Sequence, residues 1–437
     1  MQKTLPNCFD ALIVGAGPAG SAVAIQLARA GWSVALIESQ CFPRRKVCGE
    51  CIAASNLPLF EALGIGDTFN FLAGPDLRSV RLLRGDRMAE AELPAADHAR
   101  YPWGRALGRE ALDSLLLEQA RAAGALVFQP CTVQAILGGP GSWHCELRQM
   151  APTALLRLRA KVVVDAHGSW EHLPSDRPKH RQARGSGDLL AFKANFSGSN
   201  LAEGQISVLA LDGGYGGMVM ADRQTMTLAC CIRRDRLCEL RSQAPGLSAS
   251  EAVEAWLKRE CAGVQAALQS AQRVGPWLAS GPLDPGVRVN AADEIFRVGN
   301  AAGEAHPILG EGMSMALQSA ALLCSHLLGQ CGTSAVPDAP AQADLQRRYA
   351  ASWRHHFAPR LRLAAVFAHL AMRPRLAAAL LKLVQVWPRL LTLGARWGGK
   401  VRTPEFAGSI AIARARPPIP ASAAQRTSLI HPQEELT

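Results

Sequence analysis

Phe9-Asp10-Ala11-Leu12-Ile13-Val14-Gly15-Ala16-Gly17-Pro18-Ala19-Gly20 is the stretch from which the fold can be read. Phe9 to Val14 is a short apolar run, the pattern of a buried parallel strand. Ala22, Val23, Ile25, Leu27 and Ala28 then follow helical spacing, and Gly31 ends that helix. Val34 to Ile37 reads as a second strand, closing on Glu38 and Ser39. Strand, glycine turn, helix, strand and terminal acid together place G-x-G-x-x-G in the setting that a dinucleotide site requires. Gly15 permits the tight turn, Gly17 lets a pyrophosphate approach the backbone, and Gly20 lets helix pack closely on strand. The helix start at Pro18 and Ala19 adds free N–H groups and a positive dipole end. Glu38, 18 residues after Gly20, is placed to accept from ribose hydroxyls. That acid argues against a 2′-phosphate and leaves NAD and FAD both open.

Working outward, the chain has 437 residues, 47 Lys and Arg against 36 Asp and Glu, and a net charge of +11. Its length suits two or three domains. With 49% hydrophobic and 19% charged residues it is excluded from the disordered classes. The charge is uneven: residues 331 to 437 hold 15 Lys and Arg and 5 Asp and Glu, so the first 330 carry only +1. No basic n-region precedes the first apolar run, which argues against a secretory signal. Twelve scattered cysteines fit reduced thiols and a cytoplasmic setting better than a disulfide framework. No stretch reaches the length of an uncharged membrane span.

Three later segments bear on the cofactor. Gly299-Asn300-Ala301-Ala302-Gly303-Glu304-Ala305-His306-Pro307-Ile308-Leu309-Gly310-Glu311-Gly312-Met313 is a small-residue turn leading into a second helix N-terminus. Arg109-Glu110-Ala111-Leu112-Asp113 opens a further helix, and Val162-Val163-Val164-Asp165-Ala166-His167-Gly168 is a buried strand ending in a turn. The first closely resembles the G-D-A-A-G-x-x-x-P-x-x-G-x-G segment of FAD-dependent monooxygenases, halogenases and geranylgeranyl reductases. The others look like the R-x-x-L-D-x-x-L and V-V-D-A-x-G elements of the same flavoprotein superfamily, and with the N-terminal unit they run in its order from residue 9 to about 325.

That resemblance implies an α/β fold: a Rossmann-like FAD-binding domain, an inserted antiparallel-sheet substrate domain and a C-terminal helical region. The expected divisions are 1–172 and 286–331 for the FAD domain, 173–285 for the substrate sheet, 342–403 for the helices and 404–437 for a flexible tail. It also implies that Arg109, Asp165, Gly168, Gly299, Asn300, Ala301, Gly303, Gly310, Gly312 and Met313 surround FAD. Asn300 stands where many members have Asp; it can still bond a hydroxyl but lacks the charge. No second dinucleotide unit follows, so NAD(P)H would dock transiently or an external reductase would supply electrons.

Arg44-Arg45-Lys46-Val47-Cys48-Gly49-Glu50-Cys51 resembles the P-R-x-K-x-C-G loop of geranylgeranyl reductase-like proteins. The resemblance sets Arg45 and Lys46 near the pyrophosphate and Cys48, Gly49 and Glu50 near the flavin or the substrate. Neighbouring cations would favour a Cys48 thiolate. Cys48 and Cys51 also have dithiol spacing, so packing, a labile dithiol and a catalytic disulfide are all open. No cysteine and histidine set has zinc spacing. Gly213-Gly214-Tyr215-Gly216-Gly217 resembles a reductase segment in which Gly217 replaces a Trp.

The expected activity is that of an FAD-dependent oxidoreductase. A monooxygenase hydroxylating an apolar aromatic or polyketide-like metabolite through a flavin C4a-hydroperoxide is favoured, with His306, Cys48 and Tyr215 as candidate catalytic residues. Reduction of an isoprenoid or other alkene is the alternative, and a flavin-bound subunit without turnover is a third reading. The W-x-W-x-I-P signature of tryptophan halogenases is absent. The basic C-terminal region suggests peripheral membrane contact or a solvated helical cap broken at Pro359, Pro374 and Pro388; no nucleic-acid motif accompanies its charge.

Overall fold

The computed structural model describes residues 7–150, 153–169, 173–174, 185–222, 224–329 and 335–397. The expected tail 404–437 lies outside the described residues. The glycine stretch folds as its pattern demands, with strand Cys8–Val14, helix Pro18–Arg29 and strand Val34–Ile37. Strand Cys8–Val14 lies between Val34–Ile37 and Thr153–Asp165, parallel to both, with Val14 opposite Ile37 and Asp165. Leu126–Phe128 extends the parallel part on one side, and Phe296–Arg297 lies parallel to the end of Thr153–Asp165. The antiparallel strands Ser142–Met150 and Cys131–Gly139 complete this seven-stranded sheet.

Burial on both faces explains the apolar run. Ala11 and Ile13 belong to the core shared with helices Pro18–Arg29, Arg109–Ala122 and Gly312–Gly329, whereas Leu12 and Val14 belong to the core on the antiparallel side. Since the strand ends align, the glycine turn, Asp165 and the residues after Arg297 emerge along one edge. That crevice beyond the carboxyl ends of parallel strands is where doubly wound sheets bind ligands.

The second sheet runs Gln272–Ser280, Leu189–Ser197, Thr225–Arg233, Gly214–Met220, Gln205–Leu211, Ser79–Arg84 and Arg87–Glu92. Helices Arg234–Gln243, Ala249–Glu260 and Ala262–Ala267 cover one face through Leu237, Val253, Trp256 and Val264. The other face looks toward the first sheet's edge and the C-terminal helices.

Two expectations need correction. The hairpin Ser79–Arg84/Arg87–Glu92 falls within the expected 1–172 unit, yet it pairs with Gln205–Leu211 and so belongs to the substrate sheet. Strand Ser79–Arg84 buries Leu83 in the core under the helices and Val80 and Leu82 in cores on the other side, so its apolar residues are covered only within this sheet. The C-terminal region also differs: Ala339–Ala371 continues as one helix through Pro359. A proline there removes one backbone donor, but Trp353, Phe357, Leu361 and Ala364 stay buried on either side and hold the axis. The breaks fall at Pro374 and Pro388, which begin or precede helices Pro374–Val386 and Arg389–Trp397. Among the described residues no single helix is long and apolar enough to cross a membrane.

Candidate active site

A cavity of about 290 Å³ opens where the two sheets meet. Gly15, Gly17, Pro18, Ala19 and Glu38 line one end, and Gly168, Gly299, Asn300, Gly310, Gly312 and Met313 the middle. Lys46, Cys48, Gly49 and Arg109 border it, and the substrate sheet supplies Ala191, Ile206, Val208, Tyr215, Gly217, Met218 and Cys230. Segments nearly 300 residues apart in the chain therefore converge on one space.

The glycine roles separate cleanly. Gly15 has φ +101°, and a Cβ there would stand 2.5 Å from the Ala166 carbonyl oxygen. A Cβ on Gly20 would stand 1.9 Å from the Gly15 carbonyl oxygen. Both glycines therefore serve the fold. At Gly17 the nearest atoms to a Cβ are one guanidinium nitrogen each from Arg109 and Arg44, both 3.9 Å away. Space is left there, bracketed by two cations in front of a helix whose first N–H groups have no side-chain cap. This is an anion cradle that a side chain would fill.

Arg44 and Arg109 are held by carboxylates behind them. Arg109 makes two 2.7 Å bonds to Asp113, and Arg44 lies 3.3 Å from Glu38 and 3.7 Å from Asp113. Burial disfavours the Arg109 charge, but the Asp113 carboxylate and the bond to it more than compensate and keep it cationic. Arg44 is buried, and its Nε and Nη1 have no hydrogen-bond partner among the described residues. Unpaired buried guanidinium donors beside an empty-handed helix N-terminus fit a pyrophosphate. Glu38 accepts from Ala16 N at 2.9 Å and from Gln40 N at 2.9 Å, at the end of its strand as expected.

Arg45 does not join the cradle. It donates to the Val274 carbonyl at 3.0 Å on the substrate sheet, and its neighbour Arg44 takes the inward place. The loop backbone alternates its side chains, so adjacent arginines point apart. Gly303 packs instead against Trp353: a Cβ there would stand 2.3 Å from the indole. Gly20, Ser39, Asp165 and Ala301 stand behind the cavity wall; Asp165 is buried and accepts from His167. Asn300 donates to Ser169 at 2.8 Å, and Ser169 donates to Glu304 at 3.0 Å, giving a polar patch at mid-cavity.

Glu50, set by the resemblance near the flavin or the substrate, has partners that were not anticipated. It is buried at φ +60°, and it accepts from Arg109 N at 2.8 Å, from the Lys193 ammonium and from the Thr227 hydroxyl. One carboxylate thus ties the cavity loop, the Arg109 helix and two substrate-sheet strands together. The lysine within Leu189-Leu190-Ala191-Phe192-Lys193 was the available signal, since a buried ammonium needs an anion. Cys48 and Cys51 are both free thiols. Cys48 lies beside Arg109 and accepts from Glu50 N at 3.4 Å.

Two of the three catalytic candidates meet away from Cys48. Tyr215 Oη lies 3.4 Å from His306 Nδ1, and the His306 ring centroid lies 5.8 Å from that of the exposed His369. Burial, with Cys231 alongside, raises the Tyr215 hydroxyl well above its ordinary value and keeps it protonated. Burial, and then the nearby His369, lowers His306 to about 4, leaving it neutral near pH 7. Tyr215 lines the cavity; His306 stands behind it, beside the exposed His369.

A Rossmann-like sheet, a glycine cradle with two buried arginines and an inserted antiparallel sheet define a flavoprotein of the FAD-dependent type. The chain belongs to the family of FAD binding domains, whose model matches residues 9–353. It is similar to digeranylgeranylglycerophospholipid reductase 1 of Methanopyrus kandleri, 25% identical over 367 residues that cover 80% of this chain and 87% of the reductase. Its fold is similar to the myxobacterial chondrochloren halogenase CndH, with TM-score 0.68 at 18% identity over 93% and 97% of the two chains. It also resembles pqsL of Pseudomonas aeruginosa, described as "a probable FAD-dependent monooxygenase", with TM-score 0.61 at 17% identity over 90% and 99%. This family comprises FAD-dependent enzymes, and its relatives here include reductases, halogenases and monooxygenases.

Proposed function

We propose that the protein is an FAD-dependent monooxygenase that hydroxylates an apolar, ring-bearing small molecule. The observation that carries this reading is the substrate side of the cavity. Its wall is largely Ala191, Ile206, Val208, Gly216, Gly217, Met218 and Cys230, without a charged group, and the hydroxyls of Ser207 and the protonated Tyr215 are its polar contacts. Such a wall excludes water and accepts a flat apolar body against the glycines. FAD, when bound, supplies the two-electron chemistry with oxygen.

The chain's own residues hold and orient. Gly17, Arg44 and Arg109 would bind the pyrophosphate, Glu38 the ribose, and Asn300 with Ser169 the ribityl hydroxyls. Met313 and the Gly310–Gly312 turn would border the ring. Tyr215 Oη holds a proton at the substrate, and His306 Nδ1, 3.4 Å away, is the group placed to exchange it. NAD(P)H or a separate reductase would supply electrons. The test uses purified protein, NAD(P)H and 4-alkylphenols of graded chain length. An added oxygen atom derived from labelled O₂ supports hydroxylation; product formed only under anaerobic conditions contradicts it.

A second reading is favoured by Cys48, a cavity thiol beside the Arg109 guanidinium. A thiol proton at that place suits saturation of a carbon–carbon double bond, in which one carbon gains a hydride equivalent and the other a proton. The length shared with the archaeal reductase supports the same alternative.

A further inference from the structure

The C-terminal helices carry apolar side chains on two faces. In Pro374–Val386 the residues Ala377, Leu381 and Val384 are buried, at helical spacing, in the core that also holds Tyr215, Cys231 and Ala191. The opposite face shows Leu376, Ala379, Leu383 and Val386 at the same spacing, and Trp387 continues it. Val386 and Trp387 are 70% and 62% exposed. Leu393 of helix Arg389–Trp397 and Val366 of the preceding helix are exposed as well. Single exposed apolar residues are ordinary, but a stripe at helical spacing asks for a partner.

Charge selects that partner. Arg373, Arg375, Lys382, Arg389 and Arg396 flank the stripe and are all exposed. Residues 345 to 404 contain twelve Lys and Arg and no Asp or Glu. A second copy of this chain fits poorly, because a two-fold contact would set these cations against their own equivalents. A surface that combines a negative layer with an apolar interior meets both the stripe and its border.

We propose that the outward face of helices Pro374–Val386 and Arg389–Trp397 docks in the surface plane of an anionic lipid bilayer. The long helix before them meets Pro374–Val386 at 104°, so the docking helix lies across the end of that helix. Its inner face belongs to the core around Tyr215, which sets the docked surface about one helix diameter, roughly 10 Å, from the cavity wall. The docking itself is independent of the reaction assigned above.

The full-length protein would be sedimented with vesicles of equal parts phosphatidylglycerol and phosphatidylcholine, and with vesicles of phosphatidylcholine alone. Binding is expected to the first and not the second, and to fall about a hundredfold in Arg375→Gln/Lys382→Gln/Arg389→Gln. Leu383→Gln/Trp387→Gln should lose binding too, while circular dichroism shows that both variants remain folded, since every altered side chain is exposed. Absence of binding to the anionic vesicles, equal binding to the neutral ones, or retained binding in both variants would overturn the proposal. So would a dimer in solution that the same substitutions abolish.

Discussion

At the scale of single residues, the glycines of one turn answer to different forces. Gly20→Ala places a methyl group 1.9 Å from a carbonyl oxygen and is expected to leave insoluble or unfolded protein. Gly17→Asp meets no such obstacle, since its nearest neighbours are guanidinium nitrogens at 3.9 Å, and is expected to fold. Circular dichroism and solubility distinguish the two. His306 gives a second test. Its value falls from 6.5 to about 4 on folding, so the unfolded chain binds more protons between those limits. Stability conferred by the neutral, buried ring is complete above pH 6.5 and declines as pH falls toward 4. His306→Gln lacks that titration. Its melting temperature should therefore gain on that of the native protein as pH drops through this window, and parallel curves would contradict the assignment.

At the scale of elements, two buried ion pairs join parts of the chain that no local pattern connects. Glu50 is 143 residues from Lys193 and 177 from Thr227. Glu50→Ala would strand the Lys193 ammonium and is expected to cost about 3 to 5 kcal/mol in a denaturant titration. The double variant Glu50→Gln/Lys193→Met should recover most of that loss, because no unpaired charge remains. The second pair joins Arg360, which also donates to Gln318 at 2.6 Å, to Glu311 at the start of helix Gly312–Gly329. The C-terminal arginines are therefore not all solvated: Arg354 likewise donates to the Val289 carbonyl at 2.9 Å. Arg360→Ala should lower both the melting temperature and the flavin retained on gel filtration, and an unchanged melting temperature would show that the pair contributes nothing.

These elements also mark what could be read from the chain. The glycine turn, Glu38 and the Asn300 turn were legible because each is a local arrangement of backbone and small residues beside a helix start. Arg44 was hidden by its neighbour: the loop composition announces cations, but only the loop's path decides which of two adjacent arginines faces inward. The Glu50 network was hidden by sequence distance, although an isolated lysine in an apolar strand hinted at it. Pro359 misled because tertiary burial of Trp353 and Phe357 outweighs one missing backbone donor.

At the scale of the whole molecule, a nearly neutral body holds the cavity and a basic helical region covers one side of it. The net charge of +11 thus describes the cover rather than the chemistry. The body brings an anion cradle, a mid-cavity polar patch and a largely apolar wall together in one cavity, and the first two suit the phosphate and hydroxyl parts of FAD. The most direct test is the flavin content of the purified protein, read from its visible spectrum and by identifying the nucleotide released on denaturation. The account predicts equimolar FAD in the native chain and a folded but colourless Gly17→Asp variant. An unchanged FAD content in that variant, or a native chain that takes up no FAD, would contradict it.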